Sequence, residues 1–406
     1  MRIIVQKFGG SSVASASQRQ RVCERIIEAQ QNGYWPVVVV SAMGRAGDPY
    51  ATDTLLGLVR EVINDGPKRE LDLLMSCGEI ISSAVLAASL MQLGHEAVVL
   101  TGREAGIITD NNFGDARIIR VVPNQIIEHL QKKRIVIVTG FQGVTETGEV
   151  TTLGRGGSDT TACALGVALG AEVIDIFTDV EGIMTADPRI VEEARLLDSV
   201  TYYEIVHLAQ QGAKVIHPRA VEIAMQNNIP VRVRSTFLDS PGTFVGNAGN
   251  GLTAGTEIRS DRLITGIAQI PNITQLKIPI EAPNQLEAPE KIFKGLALAG
   301  ISVDFINVHP ETVIFTVTNE VAEKAVNILR NLDFEPQIRP DCVKVSVVGA
   351  GMAGMPGVMA SIVEALTREK IPILQSADSH TTIWCLVDRP YMEAAVRALH
   401  RAFALG

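Results

Sequence analysis

A lysine and two glycines lie close to the amino terminus, in the segment Lys7-Phe8-Gly9-Gly10. Residues 2–8 are β-rich, so we predict a buried strand that ends at the two glycines. At such a point, backbone N–H groups and an ammonium group could converge on phosphate oxygens. A strand-end lysine is also commonly a solvated charge, so this segment alone is a weak indication. The chain contains no GxxxxGK[ST] motif, which argues against a P-loop nucleotide site.

A second glycine-rich segment, TTLGRGGSDTT, occupies residues 151–161. Its three glycines surround Arg155, and Ser158 and Asp159 lead into a predicted helix over 159–169. Helix N-termini attract anions, and an arginine can hold a carboxylate through two parallel hydrogen bonds. We therefore predict an anion site here. The alternative is a flexible turn followed by an ordinary helix cap.

Acidic residues and another lysine complete the set of candidates. Asp179 follows a predicted strand and could orient a lysine or hold magnesium, or simply cap the next turn. Lys214, in GAKVIHPR, offers a second ammonium group. Glu79 could bind the ammonium group of a substrate, although by itself a solvated glutamate is the better interpretation. We interpret His217 as structural because a proline follows it.

Strands and helices alternate through the first half of the chain. This pattern predicts an α/β domain with a mostly parallel sheet and helices on its faces. Ligands of such sheets bind at the carboxyl ends of the strands, where Ser41 and the clusters above are expected. The predicted strands are 2–8, 37–40, 97–100, 135–138 and 173–177, and the predicted helices are 17–32, 80–93 and 159–169.

The second half of the chain contains an internal repeat. After a segment rich in Gly, Pro and Asn at 240–250, which predicts a turn or linker, residues 287–332 align with 357–402 without gaps. Apolar positions coincide throughout, for example Ile292 with Ile362. We infer two copies of a strand-helix-strand-strand-helix unit, each a small antiparallel sheet with both helices on one face.

A glycine pattern within the second copy resembles a dinucleotide-binding motif, but we do not interpret it as one. The run GAGMAG at 349–354 follows a predicted strand, and Asp378 lies where a dinucleotide-binding fold would place its ribose ligand. From Gly349 only 58 residues remain, too few for that fold. We therefore expect no NAD binding.

Composition excludes several classes of protein. Of 406 residues, 46% are hydrophobic and 20% charged, which favours a large buried core over disorder. A formal charge of -9 argues against nucleic-acid binding. The five cysteines lack metal-ligand spacing and indicate reduced thiols, with Cys77 expected as a small buried residue. We expect no signal peptide, no run near the ~18 apolar residues of a membrane span, and a cytoplasmic location.

From its amino terminus onward, the chain contains in this order the segments VQKFGGSS, SAMG with TDTLL, CGE, GFQG, TTLGRGGSDTTA, TDVEGIMTADPR and RVRST. Together they resemble the aspartokinases of the amino-acid kinase superfamily, and the repeat resembles their paired ACT regulatory domains. GRAGDPYATD and IPILQSADSHTTIW resemble the diaminopimelate-sensitive aspartokinase I type. The resemblance implies a three-layer αβα kinase domain over 1–240, a linker over 241–263, and βαββαβ-like (ferredoxin-like) ACT domains over 264–335 and 341–406.

The resemblance also implies roles for individual residues. Met184 departs from the pattern, because many relatives carry tyrosine there. The implied catalytic residues are Lys7, Asp179 and Lys214. The implied ATP-binding residues are Lys7, Phe8, Gly9, Gly10, Ser41, Thr178, Asp179, Met184, Arg189, Lys214 and Val215. The implied aspartate-binding residues are Thr52, Glu79, Arg155, Ser158 and Asp159.

An aspartokinase transfers a phosphoryl group from ATP, with Mg²⁺, to the side-chain carboxylate of aspartate. This is the first step towards lysine and diaminopimelate, threonine and methionine. We expect Lys7 and Lys214 to flank the phosphoryl group, with Asp179 holding the lysines in place. The alternatives are a catalytically inactive sensor and a related kinase that acts on acetylglutamate or UMP.

The tail is expected to bind an amino-acid effector and to form a homodimer. The effector would be diaminopimelate, lysine or threonine. The first repeat lacks the usual aspartate–lysine–proline–glycine turn at 279–288, so its ligand site is expected to differ. Polar residues that follow strand-like runs could bind the effector or could equally be ordinary turn residues, namely Asp304, Asn307, Ser376, Asp378 and Ser379.

Overall fold

The computed structural model describes residues 1–63, 66–213, 215–247, 263–281, 285–352 and 355–406. The chain divides into two compact units. The first comprises Met1–Met184, Leu196–Gln210 and Lys214–Ser260, and the second comprises Thr185–Arg195, Gln211–Ala213 and Asp261–Gly406.

The first unit is an α/β domain, as predicted. Its strands are β1 (Ile3–Phe8), β2 (Trp35–Val40), β3 (Ala97–Leu100), β4 (Ile107–Thr109), β5 (Ile118–Val121), β6 (Ile135–Thr139), β7 (Gln142–Val144), β8 (Val150–Thr152), β9 (Val173–Thr178), β10 (Ser199–Thr201), β11 (Val231–Ser235) and β12 (Thr243–Gly246). Its helices are α1 (Gly10–Val13), α2 (Ala16–Gln31), α3 (Thr52–Arg60), α4 (Lys68–Gln92), α5 (Asn124–Gln131), α6 (Gly157–Leu169), α7 (Tyr202–Gln210) and α8 (Pro218–Gln226).

The main sheet has the strand order β10-β12-β11-β9-β1-β2-β6-β3, and β5-β4-β7-β8 form a smaller sheet. The pairings of β1 with β2 and β9, of β9 with β11, and of β6 with β2 and β3 are parallel. Consequently the carboxyl ends of β1, β2, β6 and β9 lie along one edge. The fully buried valines at 37–40 suit a strand that is covered on both faces.

Helix α4 is longer than the predicted 80–93. By length and hydropathy it could cross a membrane, so the expectation that no segment reaches that size was wrong. Half of its most apolar window is buried inside the protein, and its buried residues include Asp72, Glu79, Ser82 and Ser83. Polar groups among the buried positions are typical of a core helix that supports a site.

The linker predicted for 241–263 begins instead with a strand of the main sheet. Strand β12 pairs antiparallel with β11 and parallel with β10. Thr243 and Val245 are buried, and this short strand lies between glycines that made the segment resemble a turn. Residues 248–262 lie outside the described part of the chain.

The second unit contains one antiparallel sheet with the order β14-β15-β13-β16-β18-β17. Its strands are β13 (Gly266–Pro279), β14 (Asp304–His309), β15 (Thr312–Thr318), β16 (Gln337–Val348), β17 (Gln375–Asp378) and β18 (Thr382–Asp388). Its helices are α9 (Ala288–Leu298), α10 (Asn319–Asn331), α11 (Val358–Arg368) and α12 (Met392–Ala402), with a short 3-10 turn at Arg389–Tyr391. Helices α9 and α11, and strands β15 and β18, repeat in register, which confirms the internal repeat.

The two repeats share the long strands β13 and β16. Ile267, near the start of β13, packs in the core beneath α11 and α12, whereas Leu276 and Ile278 pack beneath α9 and α10. The core of the second repeat therefore includes residues that the predicted boundaries of 264–335 and 341–406 assign to the first. An alignment of repeats cannot reveal this, because it records similarity and not which core a strand enters.

Candidate active site

The Lys7 side chain lies at the carboxyl-terminal edge of the main sheet, on the face covered by α6. Its neighbour Phe8 faces the opposite way, is fully buried and stacks on Phe177 with ring centroids 4.6 Å apart. Because Phe8 is a core residue, only its main chain is free to contact a nucleotide. Gly9 and Gly10 follow directly and lead into α1.

Lys7 forms an ion pair with Asp159, with 2.8 Å between Nζ and Oδ1. Both side chains are largely buried, 14% and 12% exposed. The other oxygen of Asp159 accepts a hydrogen bond from the His217 backbone N–H at 3.3 Å. The carboxylate that holds Lys7 is therefore Asp159, and the expectation that Asp179 would do so was wrong. The reason is that Lys7 points towards α6, whereas Asp179 lies at the end of its strand.

Asp179 instead forms an ion pair with Arg45, with 2.6 Å between the nearest atoms. Both side chains are well exposed, 73% for Arg45 and 46% for Asp179. The Thr178 hydroxyl also donates to Asp179 at 3.2 Å. This carboxylate therefore remains accessible to solvent and to a ligand.

The glycine-rich loop before α6 is held against the ends of β2 and β6. The Ser41 hydroxyl donates to Ser158 Oγ at 3.0 Å, and a Cβ on Gly140 would lie 2.7 Å from the same atom. Gly156 has φ of +69°, and a Cβ there would lie 2.2 Å from Cγ of the His217 ring. Both the backbone conformation and the close contact require glycine at this position.

A buried carboxylate on α4 fixes the strand that enters this loop. Asp72 accepts hydrogen bonds from the Thr152 N–H at 2.8 Å, the Thr152 hydroxyl at 2.6 Å and the Gly114 N–H at 2.9 Å. These contacts satisfy the carboxylate without a cation. From the sequence, an aspartate within an apolar helical run was the available signal for this support.

Glu79 lies beside the end of β2 and is only 2% exposed. One carboxyl oxygen accepts a hydrogen bond from the Ala42 N–H at 3.1 Å, and the other is buried without a partner. Burial raises the pKa of Glu79 to about 8. An unpartnered buried acceptor beside the Ala42 backbone is a group that an ammonium donor of a ligand would satisfy.

Arg155 and Thr52 are the remaining predicted aspartate ligands. Arg155 is exposed, and its guanidinium pairs with no carboxylate among the residues that the structure describes. Thr52 is partly buried at the start of α3, in the chain that follows the loop after β2. An exposed arginine without a carboxylate partner can bind an anionic ligand.

The remaining predicted nucleotide ligands are Lys214, Val215, Met184 and Arg189. Lys214 lies outside the described residues, and Val215, which follows it, is partly buried. Met184 forms an isolated bridge with Leu196. Arg189 belongs to the second unit, where its guanidinium contacts Asp187 at 2.8 Å.

The predicted effector ligands separate into two groups. Ser376, Asp378 and Ser379 line a cavity of about 700 Å³ that also contacts Met352 and Gly357. The other two, Asp304 and Asn307 of the first repeat, lie on β14 and bond to other residues of the sheet.

Asp304 and Asn307 both contact residues of the second repeat within the sheet. Asp304 forms an ion pair with the buried Lys344. Asn307 accepts a hydrogen bond from Gln375, which also contacts Gln275. Their polar groups therefore join the two repeats to each other.

Sequence reasoning missed Arg45 and Asp72, and it treated His217 as structural. The His217 ring packs against Gly156, and its backbone N–H supports Asp159, which agrees with a structural role. Cys77 is exposed, so the expectation that it is buried was wrong. A glycine follows Cys77 on α4, and the cysteine lies on the side of the helix away from the core.

Comparison with known proteins identifies the family. The model of the amino acid kinase family matches residues 2–235, and a model of the ACT domain matches residues 337–401. Aspartokinase 1 of Bacillus subtilis is 52% identical over 405 residues, which is 100% of both chains.

Two solved structures of E. coli aspartokinase III are also similar. The complex with aspartate and ADP (R-state) has a TM-score of 0.78 at 26% identity, covering 98% of this chain and 99% of that one. The complex with lysine and aspartate (T-state) has a TM-score of 0.76 at 25% identity, covering 99% and 100%. The chain therefore belongs to the amino acid kinase family and, within it, to the aspartokinases: it is an ATP-using aspartate kinase that carries an ACT domain.

Proposed function

We propose that the pocket formed by Lys7, the α6 loop and Glu79 transfers the γ-phosphoryl group of ATP to the side-chain carboxylate of aspartate. The products are ADP and 4-phospho-L-aspartate. The observation that carries this proposal is that one edge of the sheet holds both the Lys7–Asp159 pair, at the end of β1, and the unpartnered carboxyl oxygen of Glu79, beside the end of the neighbouring β2. The E. coli enzyme binds aspartate and ADP, which supports the assignment of the substrates.

Substrate recognition follows from charge. Glu79 has a buried oxygen that an ammonium group would satisfy, and Arg155 has donors suited to the α-carboxylate. Asp159 is already paired with Lys7, so we assign the substrate ammonium to Glu79 and the holding of Lys7 to Asp159. The side-chain carboxylate would then project towards the phosphoryl donor.

The chemical step needs positioning more than proton transfer. A carboxylate is already a nucleophile at neutral pH, and it must approach an anionic phosphate. Lys7 would neutralise part of the charge on the transferring group, as would Lys214. Ser158 and the N–H groups at the start of α6 would add dipoles of the same sign.

Mg²⁺ fits the same edge of the sheet. Asp179 is exposed and close to the Thr178 hydroxyl, while no cluster of three or more acidic, His or Cys side chains is found among the described residues. This set suits a magnesium ion bound mainly by phosphate oxygens, with one carboxylate from the protein. The ion would supply charge neutralisation and hold the triphosphate.

The test compares acceptors. Trapping of the acyl phosphate as a hydroxamate is measured with aspartate and with acetylglutamate, and ADP release is measured with UMP. We expect turnover with aspartate alone. Preference for either other acceptor would identify a different kinase of the family, and no turnover with any of them would identify an inactive sensor.

We also propose that an end product of the pathway towards lysine, diaminopimelate, threonine and methionine binds in the cavity beside Ser376, Asp378 and Ser379. The E. coli enzyme binds lysine, which supports an amino-acid effector. By analogy with diaminopimelate-sensitive aspartokinases, diaminopimelate is our first choice. We place the enzyme in the cytoplasm, as a homodimer joined through its ACT domains.

Inhibition measurements test the effector. Diaminopimelate, lysine and threonine are added singly and in pairs, and sedimentation gives the oligomeric state with and without them. Asp378→Asn should weaken inhibition at least fivefold without changing uninhibited turnover, whereas the exposed Asp333→Asn should change neither. Absence of inhibition by all three compounds would refute the sensing role.

A further inference from the structure

An exposed ion pair crosses the carboxyl end of β1. Arg45 follows β2 and Asp179 follows β9, and their side chains meet at 2.6 Å. In the main sheet β1 lies between these two strands, and it pairs with both of them as far as its last residue, Phe8. The ion pair therefore spans the point at which Gly9 and Gly10 leave the sheet.

The backbone at this point has room for an anion. Apart from its chain neighbours, a Cβ built on Gly9 would meet one atom within 4 Å among the described residues, the Lys7 Nζ at 3.6 Å. By contrast, a Cβ on Gly10 would lie 2.6 Å from the carbonyl oxygens of Ala42 and Gly44. The chain is therefore open at Gly9, beside an ammonium group, and closed at Gly10, where the loop after β2 packs against it. Exposed backbone next to a cation is a common setting for a phosphate group.

Hydrogen bonds hold the backbone of Arg45 in place. Its N–H donates to the Asp48 carboxylate at 2.7 Å, and its carbonyl oxygen accepts from the Asp48 N–H at 2.9 Å. The preceding residue, Gly44, has φ of +85°, and its N–H donates to the carbonyl oxygen of Gly10 at 3.1 Å. The loop is therefore attached to the segment that follows β1, and it presents an arginine side chain that is 73% exposed.

The same loop borders the proposed acceptor site. Glu79, to which we assign the ammonium group of aspartate, accepts a hydrogen bond from the N–H of Ala42, three residues before Arg45. In the proposed reaction, the phosphate that meets the acceptor is the γ-phosphate of ATP. A cation carried on this loop is therefore placed for the γ-phosphate more than for the rest of the nucleotide.

The ion pair can exchange partners at small cost. Ion pairs between exposed side chains contribute little, at most about a fivefold change in an equilibrium constant. Hydrogen bonds from a guanidinium to a phosphate group are stronger, because they are charge-assisted and can form in pairs. A phosphate of ATP would therefore displace Asp179 from Arg45, and the carboxylate would become available to the magnesium ion proposed above.

We propose that Arg45 is a further substrate-binding residue for phosphoryl transfer: its guanidinium leaves Asp179 when ATP binds and contacts the γ-phosphate. The inference rests on the proposed nucleotide site at Lys7 and Gly9 and on the proposed acceptor site at Glu79. A guanidinium suits this ligand because it is always charged and matches two phosphate oxygens at once. Contact with the group that is transferred also stabilises the charge of the transition state.

The test compares ATP with ADP, which lacks the γ-phosphate. Titration calorimetry measures the binding of each nucleotide to full-length Arg45→Ala and to the unmodified enzyme, without metal and with Mg²⁺. We expect the variant to bind ATP about tenfold more weakly, or worse, and to bind ADP within about twofold of the unmodified enzyme. In the hydroxamate assay, kcat should fall about tenfold or more, and KM for aspartate should stay within about twofold.

The matched control is Arg134→Ala. Arg134 also forms an exposed ion pair, with Glu96 at 3.1 Å, but it precedes β6 and lies at the opposite, amino-terminal edge of the sheet. This variant should leave both nucleotide affinities and kcat unchanged. Thermal unfolding of both variants should stay close to that of the unmodified enzyme, because each arginine is exposed.

Three results would overturn or relocate the assignment, and each differs from failure of the proposed function. Unchanged ATP affinity in Arg45→Ala, or equal losses for ATP and ADP, would overturn the contact with the γ-phosphate. A raised KM for aspartate with unchanged ATP affinity would place the guanidinium at the acceptor and would overturn that contact too. If instead the proposed function fails, the unmodified enzyme gives no turnover with aspartate or prefers another acceptor, whatever the nucleotide affinities of the variant.

Discussion

The pKa of Glu79 makes the affinity for aspartate depend on pH. Burial raises this pKa to about 8, against the hydrogen bond from the Ala42 N–H, which lowers it. At pH 7 the free enzyme therefore holds Glu79 mostly protonated, and ionising it costs about 1.4 kcal/mol. Only the ionised carboxylate can pair with the ammonium group of aspartate.

The size of the pH effect on kcat/KM for aspartate follows from the pKa of Glu79. With a pKa of about 8, the ionised fraction is roughly one tenth at pH 7 and one half at pH 8. The kcat/KM for aspartate should therefore rise about fivefold between pH 7 and pH 8 and level off near pH 9. KM for ATP should change much less across this range, and it serves as the internal control.

The matched variant is Glu79→Gln, which keeps the size of the side chain and cannot ionise. We expect its kcat/KM for aspartate to be about 100-fold lower at pH 9, because a charge-assisted contact is lost, and to show no rise between pH 7 and 8. Steady-state kinetics in a buffer of constant ionic strength measures both effects. A flat profile for the unmodified enzyme, or an unchanged rise in the variant, would refute the reasoning.

The raised pKa of Glu79 also makes the free energy of unfolding depend on pH in the absence of substrate. The folded-state pKa of about 8 lies above the ordinary glutamate value of 4.5, so the folded enzyme retains a proton that the unfolded chain releases. This contribution is fully present below pH 4.5 and is lost as the pH rises through 8. In urea unfolding between pH 6 and 8, the unmodified enzyme should lose more stability than Glu79→Gln, and equal losses would contradict this account.

The remaining predictions concern Lys7 and the α6 loop. Lys7→Ala should lower kcat by at least ~10²–10³ while the protein still folds, whereas the exposed Lys132→Ala should be neutral; near-normal turnover in a folded Lys7 variant would remove its catalytic role. Asp159→Asn should lower kcat with little change in KM for aspartate, because the carboxylate holds Lys7, and a large rise in KM alone would show that it binds substrate instead. Gly156→Ala should destabilise the fold by about 3 kcal/mol and abolish most activity. The control is Gly170→Ala, because Gly170 shares the positive φ but a Cβ there would meet no atom within 4 Å; it should cost about 1 kcal/mol and keep activity. Similar results for the two variants would show that the steric fit of Gly156 is unimportant.

The elements that support the site were predictable because local patterns specify them. The apolar run at 37–40 specifies a covered strand, and the helix after Gly156 begins where the glycines end. The internal repeat also placed α9 and α11 in register before any contact was known. These features depend on residues that are close together in the sequence, or on one alignment.

The partners of the charged residues were not predictable in the same way. Lys7 is equally compatible with Asp159 and Asp179 when only the sequence is known, and the choice depends on which face of β1 the lysine occupies. The burial of Glu79 depends on how closely α4 packs against the loop after β2, where a Cβ on Gly78 would lie 2.8 Å from that of Ala42. Neither property is encoded within a short window.

The sequence alone indicated the family, the α/β and repeated architecture, and the positions of Lys7 and Asp159 at the sheet edge, because each leaves a local signature of residue type and spacing. The tertiary structure alone decided that Asp159 holds Lys7, that Glu79 has an unpartnered oxygen, and that Gln211 bonds to Ser346 on strand β16. Ion pairing and burial arise from distances between segments far apart in the chain, and folding sets those distances.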